Sequence, residues 1–143
     1  MAILPNKAIL AIAAVVDIAV HSSERPVSAK ALASRHDLPP RHLEPVLQAL
    51  VREGLLRGIR GTGGGSALAR EPHDISAEEI LRAAGTVEDG SAEPEIGSRL
   101  AREAVLPALT AAEQCFASAL AKVRVADMVR TAHAIGCDRT QAS

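Results

Sequence analysis

A chain of 143 residues with one aromatic, Phe116, fits a single small domain of close-packed helices better than a sheet sandwich. Two cysteines, Cys115 and Cys137, exclude a disulfide scaffold and fit a reducing cytoplasm. The net charge of −1 hides an asymmetry: residues 1–70 carry nine Lys/Arg against five Asp/Glu and residues 71–143 seven against twelve, so the front half suits a polyanion.

The opening "MAILPNKAILAIAAVVDIAVHSS" has the outline of a secretory signal, one Lys and then an apolar run from Ala8 to Val16. Asp17 interrupts it short of the ~20 apolar residues that a membrane span needs. It reads as a buried helix from about Asn6 to Val20, with Ile9, Ile12, Val16 and Ala19 inward and no membrane association. "HSSERPV" is a break. Ser28 then caps a short helix, "AKALASRH", with Ala31 and Leu32 inward, and "DLPP" ends it.

The next helix starts near Pro40 or Arg41 and carries Leu43, Val46, Leu47, Leu50 and Val51 on one stripe. Pro45, late in its first turn, removes a backbone bond and is expected to kink the entry. Gly54 stops the helix. "LLRGI" and "SALAR" flank a glycine-rich loop, so residues 55–69 read as a hairpin. "ISAEEILRAAG" follows, a helix with Ser76 and Glu79 as capping box, Ile75 and Ile80 as hydrophobic staple and Gly85 as stop.

"TVEDGSAEPEIGS" is an acidic linker. A long helix from about Pro94 or Ile96 to Val123 places Leu109, Ala112, Phe116, Leu120 and Val123 on one stripe, and Pro107 either kinks it or marks its true beginning. "RVADMVRTAHAIG" forms a last short helix before a loose tail from Cys137.

The order is helix, helix–tight turn–helix, hairpin, helix. That is a mainly α fold with a small β-hairpin, a winged helix-turn-helix over residues 1–86. Residues 87–143 then supply a linker, a long C-terminal dimerisation helix and the tail. In such a module the third helix enters the major groove and the hairpin tip follows the DNA backbone. Glycines let the tip approach closely, and Arg60 supplies charge. A nucleotide cradle is the competing use of "RGTGGGS", but its spacing matches neither G-x-x-x-x-G-K-[ST] nor G-x-G-x-x-G between strand and helix.

"VSAKALASRHDLPPRHLEPVLQALVREGLLRGIRGTGGGSALAREPHDISAEEILRAAGT", with its wing signature "RGTGGG", resembles the BadM/Rrf-two family of bacterial winged-helix transcription regulators. The resemblance implies a cytoplasmic repressor that binds double-stranded DNA as a homodimer, its long helices crossing and each winged helix facing half of a palindromic site. It places Pro39, Arg41, His42 and Glu44 in the groove and Arg60, Gly61, Thr62 and Gly63 at the wing tip. An Arg can fork to guanine and a Glu can accept from cytosine. Lys7 and Lys30, near helix starts, are candidate phosphate contacts, with Arg57 and Arg35 as further ones. Two departures stand out. Ser66 replaces the family's usual aromatic, which predicts looser wing packing, and Pro45 stands where a polar or basic residue is common.

Many relatives carry an iron–sulfur cluster on three cysteines between the fifth helix and the dimer helix. Here that stretch, "VEDGSAEPEIGSRLARE", holds neither Cys nor His, so no cluster and no other cofactor or metal is expected. Cys115 reads as a buried apolar residue; Cys137 reads as an exposed, oxidisable thiol, and with His133 it provides only two potential metal ligands. No enzyme is expected, because Asp17, Glu24 and the five histidines show no catalytic arrangement. The alternative is a dimeric interaction or thiol-sensing protein that retains the fold without binding DNA.

Overall fold

The computed structural model describes residues 6–21, 25–85 and 98–136. The acidic linker, the helix start at Pro94 or Ile96, Glu24 and Cys137 fall outside them. Six α-helices and one hairpin follow in order: α1 Asn6–His21, α2 Ala29–Arg35, α3 Pro40–Arg52, β1 Leu56–Ile59, β2 Gly65–Leu68, α4 Ala77–Ala84, α5 Leu106–Ala121 and α6 Val125–Ala134.

Helix α1 is apolar nearly all round, so periodicity does not choose its buried side. The face centre lies beside the stripe through Ile9, Ile12, Val16 and Ala19: the structure fully buries Ala8, Ala11, Ala14, Val15 and Ile18. Ile12, Val16 and Ala19 line the edge of the core, and Ile9 is exposed. The alanines decide the orientation, since small side chains let α4 and α6 pack close to the α1 axis.

The helix-turn-helix is closed by two copies of one device. After α2, the Leu38 N–H donates to the Ala33 carbonyl at 2.9 Å and Asp37 takes a left-handed φ of 53°. After α3, the Leu55 N–H donates to the Leu50 carbonyl at 3.0 Å and Gly54 has φ 79°. Both satisfy end carbonyls that the helix itself cannot. The Ser28 hydroxyl accepts the Ala31 N–H at 3.0 Å, which caps the start of α2. In α2 the inward residues are Leu32 and Ala33, with Ala31 half-buried. In α3, Leu43, Val46, Leu47 and Leu50 face the core with Ala49, whereas Val51 is exposed.

Pro45 does not break α3, which runs unbroken from Pro40 to Arg52. It falls in the second turn, not the first, and the carbonyl it leaves unbonded belongs to exposed Arg41, where water can reach it.

The hairpin is antiparallel, with Leu56 opposite Leu68 and Ile59 opposite Gly65, so it starts and ends slightly short of 55–69. Val27 joins it as a third member. Its N–H donates to the Ser66 carbonyl at 2.8 Å and its carbonyl accepts the Ser66 N–H at 2.7 Å. Ser66 is buried, and the backbone pair with Val27 ties the wing where looser packing was expected.

Beyond the wing, a 3-10 turn at Pro72–Asp74 leads into α4. The Ser76–Glu79 capping box forms, with the Ser76 hydroxyl accepting the Glu79 N–H at 3.2 Å, and Ile75 and Ile80 are fully buried. The Arg70 guanidinium bonds the Glu79 carboxylate and holds its pKa below the ordinary value. Gly85 keeps a right-handed φ of −65°, so α4 ends without the left-handed turn that Gly provides at α3.

Before α5 the backbone widens into a π-helical turn at Ala101–Val105, where the Leu106 N–H reaches back to Ala101. Pro107 is the cause. It has no N–H for the Glu103 carbonyl, and the wider turn absorbs the missing bond. Of the two roles open to Pro107, it marks the restart of the α-helix. The chain then returns to the winged helix: the Val125 N–H donates to the Ile75 carbonyl at 2.9 Å and the Ala77 N–H to the Val123 carbonyl at 2.8 Å. Val125 is fully buried in the core.

Candidate nucleic-acid interface

At the amino end of α3, Pro39, Arg41, His42 and Glu44 are all exposed while Leu43 and Val46 anchor the helix in the core. Lys7, half-buried on the first turn of α1, lines one cleft with Arg41 and His42, so two helix starts bring their cationic side chains together.

The wing tip is built by glycines with different tasks. Gly61 and Gly63 take φ of 100° and 79° in open space, with the Gly64 N–H closing the turn onto the Gly61 carbonyl at 2.9 Å. Gly64 and Gly65 face inward. A Cβ on Gly64 would lie 2.3 Å from the Ile59 carbonyl oxygen, and one on Gly65 would lie 2.4 Å from that of Val27. The first pair shapes the tip and the second pair lets the backbones meet. Arg60, Thr62 and, on β1, Arg57 are exposed. No described contact joins this wing group to the α1–α3 group, and Lys30 stands separately on α2.

Arg35 is a correction. Its guanidinium donates three hydrogen bonds of 2.6–3.1 Å to the Asp17 carboxylate, which raises the pKa of the guanidinium. His36 Nε2 lies 3.1 Å and His21 Nδ1 3.3 Å from the same carboxylate, whose side chain is only 9% exposed. This cluster ties α1 to α2 and takes Arg35 away from any phosphate. Arg70, Arg82, Arg99 and Arg130 are likewise paired with carboxylates. Among the described residues, Lys30, Arg41, Arg57 and Arg60 have no such partner, and neither do Arg25, Arg52, Arg102, Lys122 and Arg124, so pairing alone does not single out the DNA-facing cations.

The long helix is the other open surface. None of α5 is buried. Leu100 and Leu109 are 72% and 58% exposed, with Val105, Leu106 and Val123 also exposed. Of the stripe read from the sequence, Leu109, Ala112 and Val123 face solvent while Phe116 and Leu120 are half-covered. Cys115 is exposed on this helix and not buried as the sequence suggested.

A helix-turn-helix with exposed Arg41 at the start of its third helix, followed by an Arg- and Gly-tipped hairpin, defines a winged helix-turn-helix protein. The chain belongs to the Rrf2 family, described as "Iron-dependent Transcriptional regulator", which it matches over residues 4–131. It is 38% identical over 80 residues to the HTH-type protein slr0846 of Synechocystis sp., covering 56% of this chain and 54% of that one. To the HTH-type transcriptional regulator IscR of Xenorhabdus nematophila it is 34% identical over 80 residues, covering 56% and 49%. The chain thus spans about half the length of the curated relatives it matches. Among solved structures, T. potens IscR superposes with a TM-score of 0.72 at 28% identity, over 93% of this chain and 90% of that one. The fold is also that of CymR, the global cysteine regulator of B. subtilis, with a TM-score of 0.67 at 24% identity over 92% and 98% of the two chains.

The donor set does not fit the iron–sulfur cluster that the family's cysteine-bearing members hold. A cluster takes about four ligands, mostly thiolates. This chain has two cysteines in all, and Cys115 lies in mid-α5 with no third ligand near it. Among the described residues no group of three or more His, Cys, Asp or Glu side chains is placed to hold a metal ion.

Proposed function

We propose that this protein is a homodimeric, cytoplasmic repressor that binds a palindromic DNA site without an iron–sulfur cluster. The exposed Arg41 at the start of α3 and the exposed Arg57 and Arg60 on the glycine-tipped wing carry this reading, because they stand on the two elements of a winged helix-turn-helix that meet DNA. Arg41 forks to a guanine edge and Glu44 accepts from a cytosine amine, with Pro39 and His42 beside them in the major groove. Lys7, Lys30 and Arg57 hold phosphates. Arg60 enters the minor groove, and Gly61, Thr62 and Gly63 bring the wing backbone against the sugar–phosphate wall.

The second copy docks on α5, through Leu109, Ala112, Phe116, Leu120 and Val123 together with Leu106. By length and composition the helical run Ala101–Ala121 is also apolar enough to cross a membrane, with none of it buried in the protomer. Glu113 near its middle argues for a protein partner instead, since a charge at a bilayer centre costs about 2.5–3.5 kcal/mol.

Arg60→Ala and Glu44→Ala separate the two contact types. Arg60→Ala should weaken all duplexes and reduce the salt dependence by about one phosphate, a log–log slope change of about 0.9. Glu44→Ala should relax specificity at one base pair by ~1–3 kcal/mol while random DNA binds as well or better, because a carboxylate near phosphates opposes binding. Binding to a site library at fixed salt checks both. Equal loss on random and specific DNA for Glu44→Ala would make Glu44 a structural residue.

A further inference from the structure

A cleft of about 650 Å³ opens between the amino ends of α1 and α3, within the size range of small-molecule sites. Its floor is apolar, with Ile9, Leu10 and Ala13 on the α1 side and Leu38, Pro45 and Val46 opposite. Its rim carries Lys7, Arg41 and His42, and His36 also lines it with Nε2 turned to Asp17. Among the described residues no Asp or Glu lines the cleft. DNA phosphates account for a cationic rim, but they give no use to the apolar lining that the described residues place beside it. An apolar floor with cations on one edge matches a molecule with an apolar body and one negative end.

We propose that this cleft binds a small amphipathic carboxylate of the fatty-acid type, and that its occupancy releases DNA. The carboxylate lies against Arg41 and His42 and the hydrocarbon covers Ile9, Leu10 and Val46. A side chain bonded to a ligand carboxylate is lost to a base edge, so ligand and operator compete for Arg41. The competition rests on the DNA-binding role given to Arg41 above; the ligand site itself does not.

Decanoate is the probe, with decylamine as the control of opposite charge. The chain has no Trp or Tyr, so binding is followed by amide shifts of the full-length protein and by displacement of a labelled duplex. Decanoate should give saturable shifts at Leu10, Leu38 and Val46 and weaken DNA binding about tenfold, the worth of one lost base contact. Decylamine should do neither. Ile9→Gln, at an exposed position, and Ala13→Leu, which fills the floor, should each weaken decanoate about fivefold and leave DNA binding without decanoate unchanged.

Shifts confined to Leu100 and Leu109 would place the ligand on α5 and overturn the site, as would equal binding of decylamine. Contacts from residues 1–5 or from a second copy that decanoate cannot displace would show that the chain itself fills the cleft. Decanoate filling the cleft with no loss of DNA would overturn the competition. Failure of the unliganded protein to bind any duplex would instead count against the proposed function, and the amide shifts would still decide the ligand site.

Discussion

Two carboxylates on the open face of α5, in a Leu106→Glu/Leu109→Glu variant, are expected to leave a folded monomer that binds operator DNA about 10²–10⁴-fold more weakly. Leu109 is 58% and Leu106 38% exposed in the protomer and neither belongs to the buried core, so the fold should survive their change. In the dimer each would bury an apolar side chain worth about 1.5–3 kcal/mol, and a charge there is buried without a partner. The loss on DNA follows from geometry. Two winged helices held together bind the second half-site at high effective concentration, and separation removes that gain. Sedimentation at micromolar protein should give one chain mass for the variant and two for the unaltered protein. A variant that remains dimeric would place the interface elsewhere.

Gly65→Ala is expected to damage the wing far more than a change at the tip, costing about 3 kcal/mol. The new Cβ would lie 2.4–2.7 Å from the Val27 oxygen, the Val27 carbonyl carbon and the Ser28 nitrogen. These are backbone atoms that cannot rotate away. Relief requires moving Val27 off β2, which breaks both hydrogen bonds to Ser66. At about 2–4 °C per kcal/mol for a chain near this size, the melting midpoint should fall by roughly 10 °C. Gly61→Ala meets no atom and carries only the strain of its positive φ, about 1 kcal/mol. Thermal melts of both variants check the ordering. If Gly61→Ala proved the worse of the two, the tip and not the Val27 junction would hold the wing.

What the sequence disclosed depended on how local each interaction is. The Ser76–Glu79 capping box, the Gly54 stop and the hairpin lie within a few residues of their own signals, and the structure has them where those signals stand. The start of α3 and the wing tip were legible for the same reason, since charge and glycine cluster within short stretches. The Val27–Ser66 pair joins one residue to a strand 39 positions later and leaves no periodic trace. Asp17 and Arg35 lie 18 positions apart on separate helices, so nothing local marked Arg35 as already paired. The buried face of α1 is legible only in part: Ile12, Val16 and Ala19 do pack against the core, but its centre is Ala11, Ala14, Val15 and Ile18, because close helix packing favours the smaller side chain. The α1–α3 cleft has no sequence signature, being only the space that two helix starts leave between them.

Selection of duplexes from a random library by the purified, metal-free protein at fixed salt tests the central claim most directly. The account predicts an enriched inverted repeat, its half-sites related by the two-fold axis of the dimer, bound at least ~10³-fold more tightly than random DNA. Enrichment of no sequence, or binding that requires added iron, would contradict it.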